Sequence, residues 1–243
     1  MLCKLNDASA EAHTSLAAYL AWYDHDWAAS DREFHRAIEL NPNYAFAHDQ
    51  FCLSLGCQGR FEEAVSEGRR AVDLDPLDPS IANDLSLALG FQGKFEEARR
   101  ELKRAMQLDP TFFFPQMQYG WLDLQEGKAS AAVPELEKAV AMDAPLFTTA
   151  YLGYAYGAAG DKTKALATIE ELKKKGVSGF VPPYNLAVVY LSLGEHARAL
   201  DYLEQAQATD SQWMMYIGQD RIFDPLRSDP RFMALIKKAH FAK

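Results

Sequence analysis

An all-α array of about six helical hairpins is the fold this chain predicts, and three observations predict it. The segments RAIELNP, RAVDLDP and RAMQLDP end at Pro42, Pro76 and Pro110, in steps of 34 residues. A glycine recurs in phase with them at Gly59, Gly93 and Gly127. Small residues recur seven apart, first at Ser30, Ala64, Ala98, Ala132, Ala165 and Ala199, then at Ala37, Ala71, Ala105, Ala139 and Ala206, with Leu172 in the fifth copy. A fixed period of this length marks a repeat architecture in which each unit contacts mainly its neighbours.

The elements follow in order within each copy. The first helix carries a large residue followed by a small one: Leu16-Ala17, Phe51-Cys52, Leu85-Ser86, Tyr119-Gly120, Leu152-Gly153 and Leu186-Ala187. Three residues on comes an apolar or aromatic side chain, at Leu20, Leu55, Leu89, Tyr156 and Tyr190. The fourth copy has Asp123 there instead. A carboxylate at that place either reaches solvent at a wet helix end or makes a specific hydrogen bond. Gly59, Gly93, Gly127, Gly160 and Gly194 suit a helix end that needs positive φ. The second helix carries its small sites on one face, which lets two backbones approach closely. Pro42, Pro76 and Pro110 then stop it.

Several copies depart from this pattern. The first has WYDHDW in its turn, one residue longer than the others and without glycine. Pro134 lies early in a second helix and removes one backbone hydrogen bond there. The fourth copy closes on Ala144-Pro145, and the fifth ends in LKKKG, whose glycine opens GVSGFVPPY, the longest break and the place for any bend. After residue 211 come WMMYIG and IFDPLRSDPRF. Asp229 and Pro230 make a good helix start, and Phe232, Leu235, Ile236 and Ala239 form an apolar stripe with Lys237, Lys238 and Lys243 opposite. This reads as a closing helix. LNDASAEAH at the front reads as the tail of an earlier unit, with no polar cap before it, as if the chain were the C-terminal part of something longer.

These residues resemble the tetratricopeptide repeat, a helix–turn–helix unit of 34 residues. The resemblance implies a right-handed α-solenoid. It divides 1–243 into units of about 10–44, 45–78, 79–112, 113–145, 146–179 and 180–211, with a capping segment over 212–243. It also implies protein or peptide binding without catalysis. FDPLRSDPRF after such units further resembles the C-terminal regions of bacterial multidomain regulators, in which a winged-helix DNA-binding domain, a Ser/Thr kinase or a nucleotide cyclase precedes the repeats. On that reading the chain is a sensory, regulatory or self-association module.

Composition narrows the function classes. Charged residues at 24% and hydrophobic ones at 49% exclude wholesale disorder, and a net charge of −9 disfavours a nucleic-acid partner. No apolar run approaches the roughly 20 residues that span a bilayer, and MLCKLNDASA lacks the regions of a signal peptide. The expectation is a cytoplasmic chain, or a periplasmic one if it belongs to a membrane-anchored regulator. Cys3, Cys52 and Cys57 have no metal-ligand spacing, and Cys52 falls on a small packing site as an inert thiol. His25 and His35 with Asp24 and Asp26 imitate a metal site, but one His lies in a turn and the other on the helix after it. No catalytic motif, cofactor or metal site is expected.

The inner face of such an array is lined by first helices. Projection places Phe46, Asp49, Gln50 and Leu53 there, then Asn83, Asp84 and Leu87, then Phe114, Met117, Gln118 and Trp121. Phe147, Tyr151 and Tyr154 follow, then Tyr184, Asn185 and Val188. No Lys or Arg stands among them, so the family's grip on a C-terminal carboxylate is not expected. An aromatic stretch from Phe114 to Tyr184, flanked by Asp49 and Asp84, suits an apolar or amphipathic peptide. The alternative is that these rings pack against neighbouring helices and leave little surface. The first helix, around Leu16 and Leu20, could also pair with a second copy.

Overall fold

Why alanine and serine recur at fixed sites is clear from the packing of the second helices. Ser30, Ala64, Ala98, Ala132, Ala165 and Ala199 are all fully buried, as are Ala37, Ala71, Ala105, Ala139, Leu172 and Ala206. The structure, a computed structural model, describes residues 8–142, 145–176, 180–209 and 212–241. It is all-α: α1 (Ala10–Tyr19), α2 (Trp27–Leu40), α3 (Ala45–Cys57), α4 (Phe61–Leu74), α5 (Pro79–Phe91) and α6 (Phe95–Leu108) lie in one compact unit that runs to Asp109. A second unit, Pro110–Ala239, holds α7 (Phe113–Gln125), α8 (Ala129–Ala141), α9 (Leu146–Ala158), α10 (Lys162–Lys175), α11 (Pro183–Ser192), α12 (His196–Ala208) and most of α13 (Pro230–Phe241). Consecutive helices pair as antiparallel hairpins, α1 with α2 through α11 with α12.

Local chemistry sets the helix ends. Gly59, Gly93, Gly127, Gly160 and Gly194 all have positive φ, as expected of residues that close a first helix. Asp26, Asp78 and Asp161 cap α2, α5 and α10 by accepting backbone N–H groups. The longer first turn is absorbed in two ways. α1 runs into a π-helical turn, Leu20–Asp24, which takes up the extra residue. His25 then adopts φ 51°, the left-handed conformation that glycine supplies elsewhere. Pro134 lies inside α8, which continues through it.

A second repeated device ties one hairpin to the next. Arg70 on α4 donates to the Pro42 carbonyl at 3.4 Å and to Asn43 Oδ1 at 2.9 Å. Arg104 on α6 donates to the Pro76 carbonyl at 2.6 Å. Each guanidinium thus satisfies a carbonyl just past the preceding second helix, where the helix end leaves acceptors free.

Asp123 is buried at 7% exposure, so the reading in which it reaches solvent does not hold. Cys52 and Cys57 are both buried, and burial pushes the Cys52 thiol well above its ordinary range. Cys3, Ala144, Lys243 and the centre of the GVSGFVPPY break, 177–179, lie outside the described residues. α13 starts at Pro230 as its sequence predicts, and Phe232, Leu235 and Ala239 are buried.

Candidate functional site

The residues projected onto the inner face fall into two groups, one in each compact unit. In the second unit, Met117, Trp121, Phe147, Tyr151 and Tyr184 are buried, while Phe114 and Tyr154 keep some surface. Burial here has a specific cause. The chain's own segment between α12 and α13 lies across these first helices. It contains two short 3-10 turns, Gln212–Tyr216 and Arg221–Leu226. Trp213 packs on Phe147 with ring centroids 4.5 Å apart, and Phe223 meets Tyr184 edge-on at 6.1 Å.

Between the two turns sits Asp220, 1% exposed. Its Oδ2 accepts from Trp121 Nε1 at 3.1 Å and from Tyr151 OH at 2.8 Å. Its Oδ1 accepts from Gln125 Nε2 at 2.6 Å and from the Ile222 backbone N–H at 3.1 Å. Gln125 Oε1 in turn accepts from the Arg221 N–H at 3.1 Å, and Tyr154 OH donates to the Ile222 carbonyl at 3.4 Å. Tyr184 OH lies 3.2 Å from Tyr151 OH. All four groups donating to Asp220 are neutral. Burial raises the Asp220 pKa even though these hydrogen bonds pull it down. Burial and the nearby Asp220 charge push Tyr154 up to about 12, and they raise Tyr151 and Tyr184 as well.

The aromatic residues projected onto the first helices of the second unit thus leave little free surface, and what covers them is the chain's own segment. Asp220, Gln125, Trp213 and Phe223 were not among the residues projected. A signal for them was present: WMMYIG is too apolar for a solvated linker between the last hairpin and the closing helix.

In the first unit, Phe46 is 49% exposed and Leu53 and Leu87 are partly so. Asp49 and Asn83 are buried at 3% each. Asp49 Oδ2 accepts from Gln50 Nε2 at 3.1 Å, and Asp84 Oδ1 accepts from Asn83 Nδ2 at 3.0 Å. Asp49 Oδ1 and Asn83 Oδ1 have no hydrogen-bond partner among the described residues. Burial pushes the Asp49 carboxyl up to about 6, with the charge of Asp78 adding to it. Burial and then the Asp49 charge push Asp84 well above the carboxylate range.

Leu16 and Leu20 in the first hairpin are both partly exposed. His35 bonds the Asp31 carbonyl at 2.7 Å and sets its ring edge on Phe51. Among the described residues no cluster of three or more His, Cys, Asp or Glu side chains could hold a metal. No helix among them is long and apolar enough to cross a membrane.

Comparison with known proteins agrees with this geometry. The sequence model of the tetratricopeptide repeat matches residues 79–112 and 184–212. No curated protein matches the chain. Among solved structures, a thermophilic tetratricopeptide-repeat protein of Thermus thermophilus is similar at TM-score 0.64 and 22% identity, covering 79% of this chain and 99% of that one. A tetratricopeptide-repeat protein of Parabacteroides merdae is similar at TM-score 0.68 and 11% identity, covering 96% and 84%. PilF of Pseudomonas aeruginosa is similar at 0.59 and 17%, covering 90% and 97%. At these identities the likeness is one of fold. With five hairpins turned by in-phase glycines, small residues at nearly every helix crossing and two stretches, 79–112 and 184–212, that match the repeat itself, the chain carries tetratricopeptide repeats and has the fold of that family.

Proposed function

We propose that the chain is a non-catalytic scaffold that binds protein or peptide segments across the first-helix faces of its hairpins. One observation carries this reading: the first helices of the second unit already hold a chain segment, residues 213–226, through Trp121, Gln125, Tyr151 and Tyr154. That contact has the anatomy of peptide recognition, with rings seated against rings and side-chain donors on a carboxylate and a backbone carbonyl. The equivalent face of the first unit offers Phe46, Leu53 and Leu87 with surface in solvent and acceptors that await donors. A partner segment that is amphipathic rather than wholly apolar suits it.

Binding of the whole chain to an array of short peptides tests this. Peptide signals above those of a folded control protein are expected, and Phe46→Ala and Leu53→Ser should each weaken them while leaving helicity by circular dichroism unchanged. An array with no signal above the control would sink the reading.

A further inference from the structure

Two carboxylates of the first unit stand on neighbouring first helices without a cation of the protein beside them. Asp49 on α3 and Asp84 on α5 belong to helices that pack together, and neither forms an ion pair among the described residues. Arginines are not scarce in this unit. Arg60, Arg69, Arg70 and Arg104 are all committed elsewhere, to Asp31 and Glu63, to Glu97, to Asn43 and to the Pro76 carbonyl. Among the described residues, the carboxylates of Asp49 and Asp84 receive side-chain hydrogen bonds from two neutral amides, those of Gln50 and Asn83.

What is left over defines what is missing. Asp49 Oδ1 and Asn83 Oδ1 are buried acceptors without a donor, each on a side chain that is 3% exposed. Native proteins rarely leave such atoms unsatisfied, and an explanation is owed for each. Asp84, like Leu87 on the same helix, keeps part of its residue surface in solvent, which places the group at the edge of the packed helices. Asp78, which caps α5, adds a third negative charge that both carboxylates feel. A ligand that satisfies this group must bring positive charge and several N–H donors together. A hard metal ion fits poorly, because no cluster of three or more ligating side chains exists among the described residues. A guanidinium fits, with five donors in a rigid plane that pair two acceptors at once. Leu53, Leu87 and Phe46, half-buried to exposed on the same helices, suit its aliphatic stem.

We propose that Asp49, Asp84 and the side-chain carbonyl of Asn83 form a recognition site for the arginine side chain of a bound partner segment. This rests on the first-helix face being a peptide-binding surface and names the side chain that the face selects.

The test compares short peptide pools binding to the whole chain, with a fixed central Arg, Lys, citrulline or Glu and the other positions randomised. Citrulline keeps the shape of arginine and loses the charge. The Arg pool should bind about tenfold more tightly than the citrulline pool, as losing one charge-assisted pair predicts. Asp49→Asn and Asp84→Asn should shrink that preference without lowering helicity, while the comparison of pools on the parent chain does not depend on either variant folding. Equal binding of the Arg and citrulline pools, or a preferred Glu pool, would overturn the assignment while leaving the binding function intact. Lys matching Arg would overturn the guanidinium assignment, and a melting shift by millimolar Ca²⁺ that vanishes in Asp49→Asn would overturn it in favour of a metal. Absence of binding by every pool would sink both readings.

Discussion

Asp220 is a carboxylate held in the interior by an indole, a phenol, an amide and a backbone N–H, with no positive charge among its bonds. Removing it strands those donors, and a buried donor left unpaired costs about 1–3 kcal/mol. Asp220→Ala is therefore expected to destabilise the second unit by about 3 kcal/mol or more in urea denaturation. Asp220→Asn keeps the shape but turns one accepting oxygen into a donating nitrogen, so it should relieve only part of that loss. The first unit gives the opposite sign. Asp49 and Asp84 have raised pKa values in the folded chain, so they favour folding below the ordinary carboxylate range near 4 and lose that contribution as pH rises through about 6. Asp84 and Asp78 face Asp49 from α5 and its cap, Gln50 lies beside it on α3, and Cys52 is near enough to feel the charges of Asp49, Asp84 and Glu67. The double variant Asp49→Asn, Asp84→Asn should melt above the parent at pH 7.5, a margin that narrows at pH 4.5. A lower melting point at pH 7.5 would mean that the carboxylates serve the fold rather than a ligand.

At the scale of single elements, two positions show how tightly the period constrains side chains. Gly153 on α9 lies where helices on both sides come close, and a Cβ there would sit 2.8 Å from Thr168 Cγ2 and 2.8 Å from Val189 Cγ2. Gly153→Ala should cost about 1–3 kcal/mol by overpacking, measured as a shift in denaturation midpoint. His25 presents the converse case. It holds φ 51° at the end of the π-turn, a conformation that costs a residue with a Cβ about 1–2 kcal/mol. His25→Gly would bring the first turn into line with the other five and should raise the melting temperature modestly, the gain reduced by the loss of ring contact with Trp27. No change or a fall would show that His25 is kept for its side chain.

At the scale of the molecule, residues 213–223 cover the first helices of the second unit. A chain ending at Thr209 would uncover Trp121, Phe147, Tyr151 and Tyr184 and is expected to bind a hydrophobic dye and lose stability. A synthetic peptide spanning 212–226 should reverse both effects, seen in the fluorescence of Trp121. An unchanged melting curve on truncation would show that the segment only decorates the face.

Period, phase and residue size were enough to read helices, turns and crossings from the sequence, because each depends on neighbours a few residues away. Ala64 and Ala98 are small because a helix crosses there, and Gly59 and Gly93 are glycine because φ is positive. The composition of the inner face was legible for the same reason, since every 34 residues return the same side to it. Its occupancy was not. Trp121 and Asp220 meet across 99 residues, and nothing local in either segment states that contact. The pairing of unsatisfied acceptors on α3 and α5 was equally hidden, because Asp49 and Asn83 look like ordinary polar residues until their partners are counted in three dimensions. Short-range sterics and periodicity therefore determined the scaffold from sequence alone. Only tertiary packing decided which part of its inner face is already filled and which part still has acceptors to offer, because burial and hydrogen-bond satisfaction depend on segments far apart along the chain.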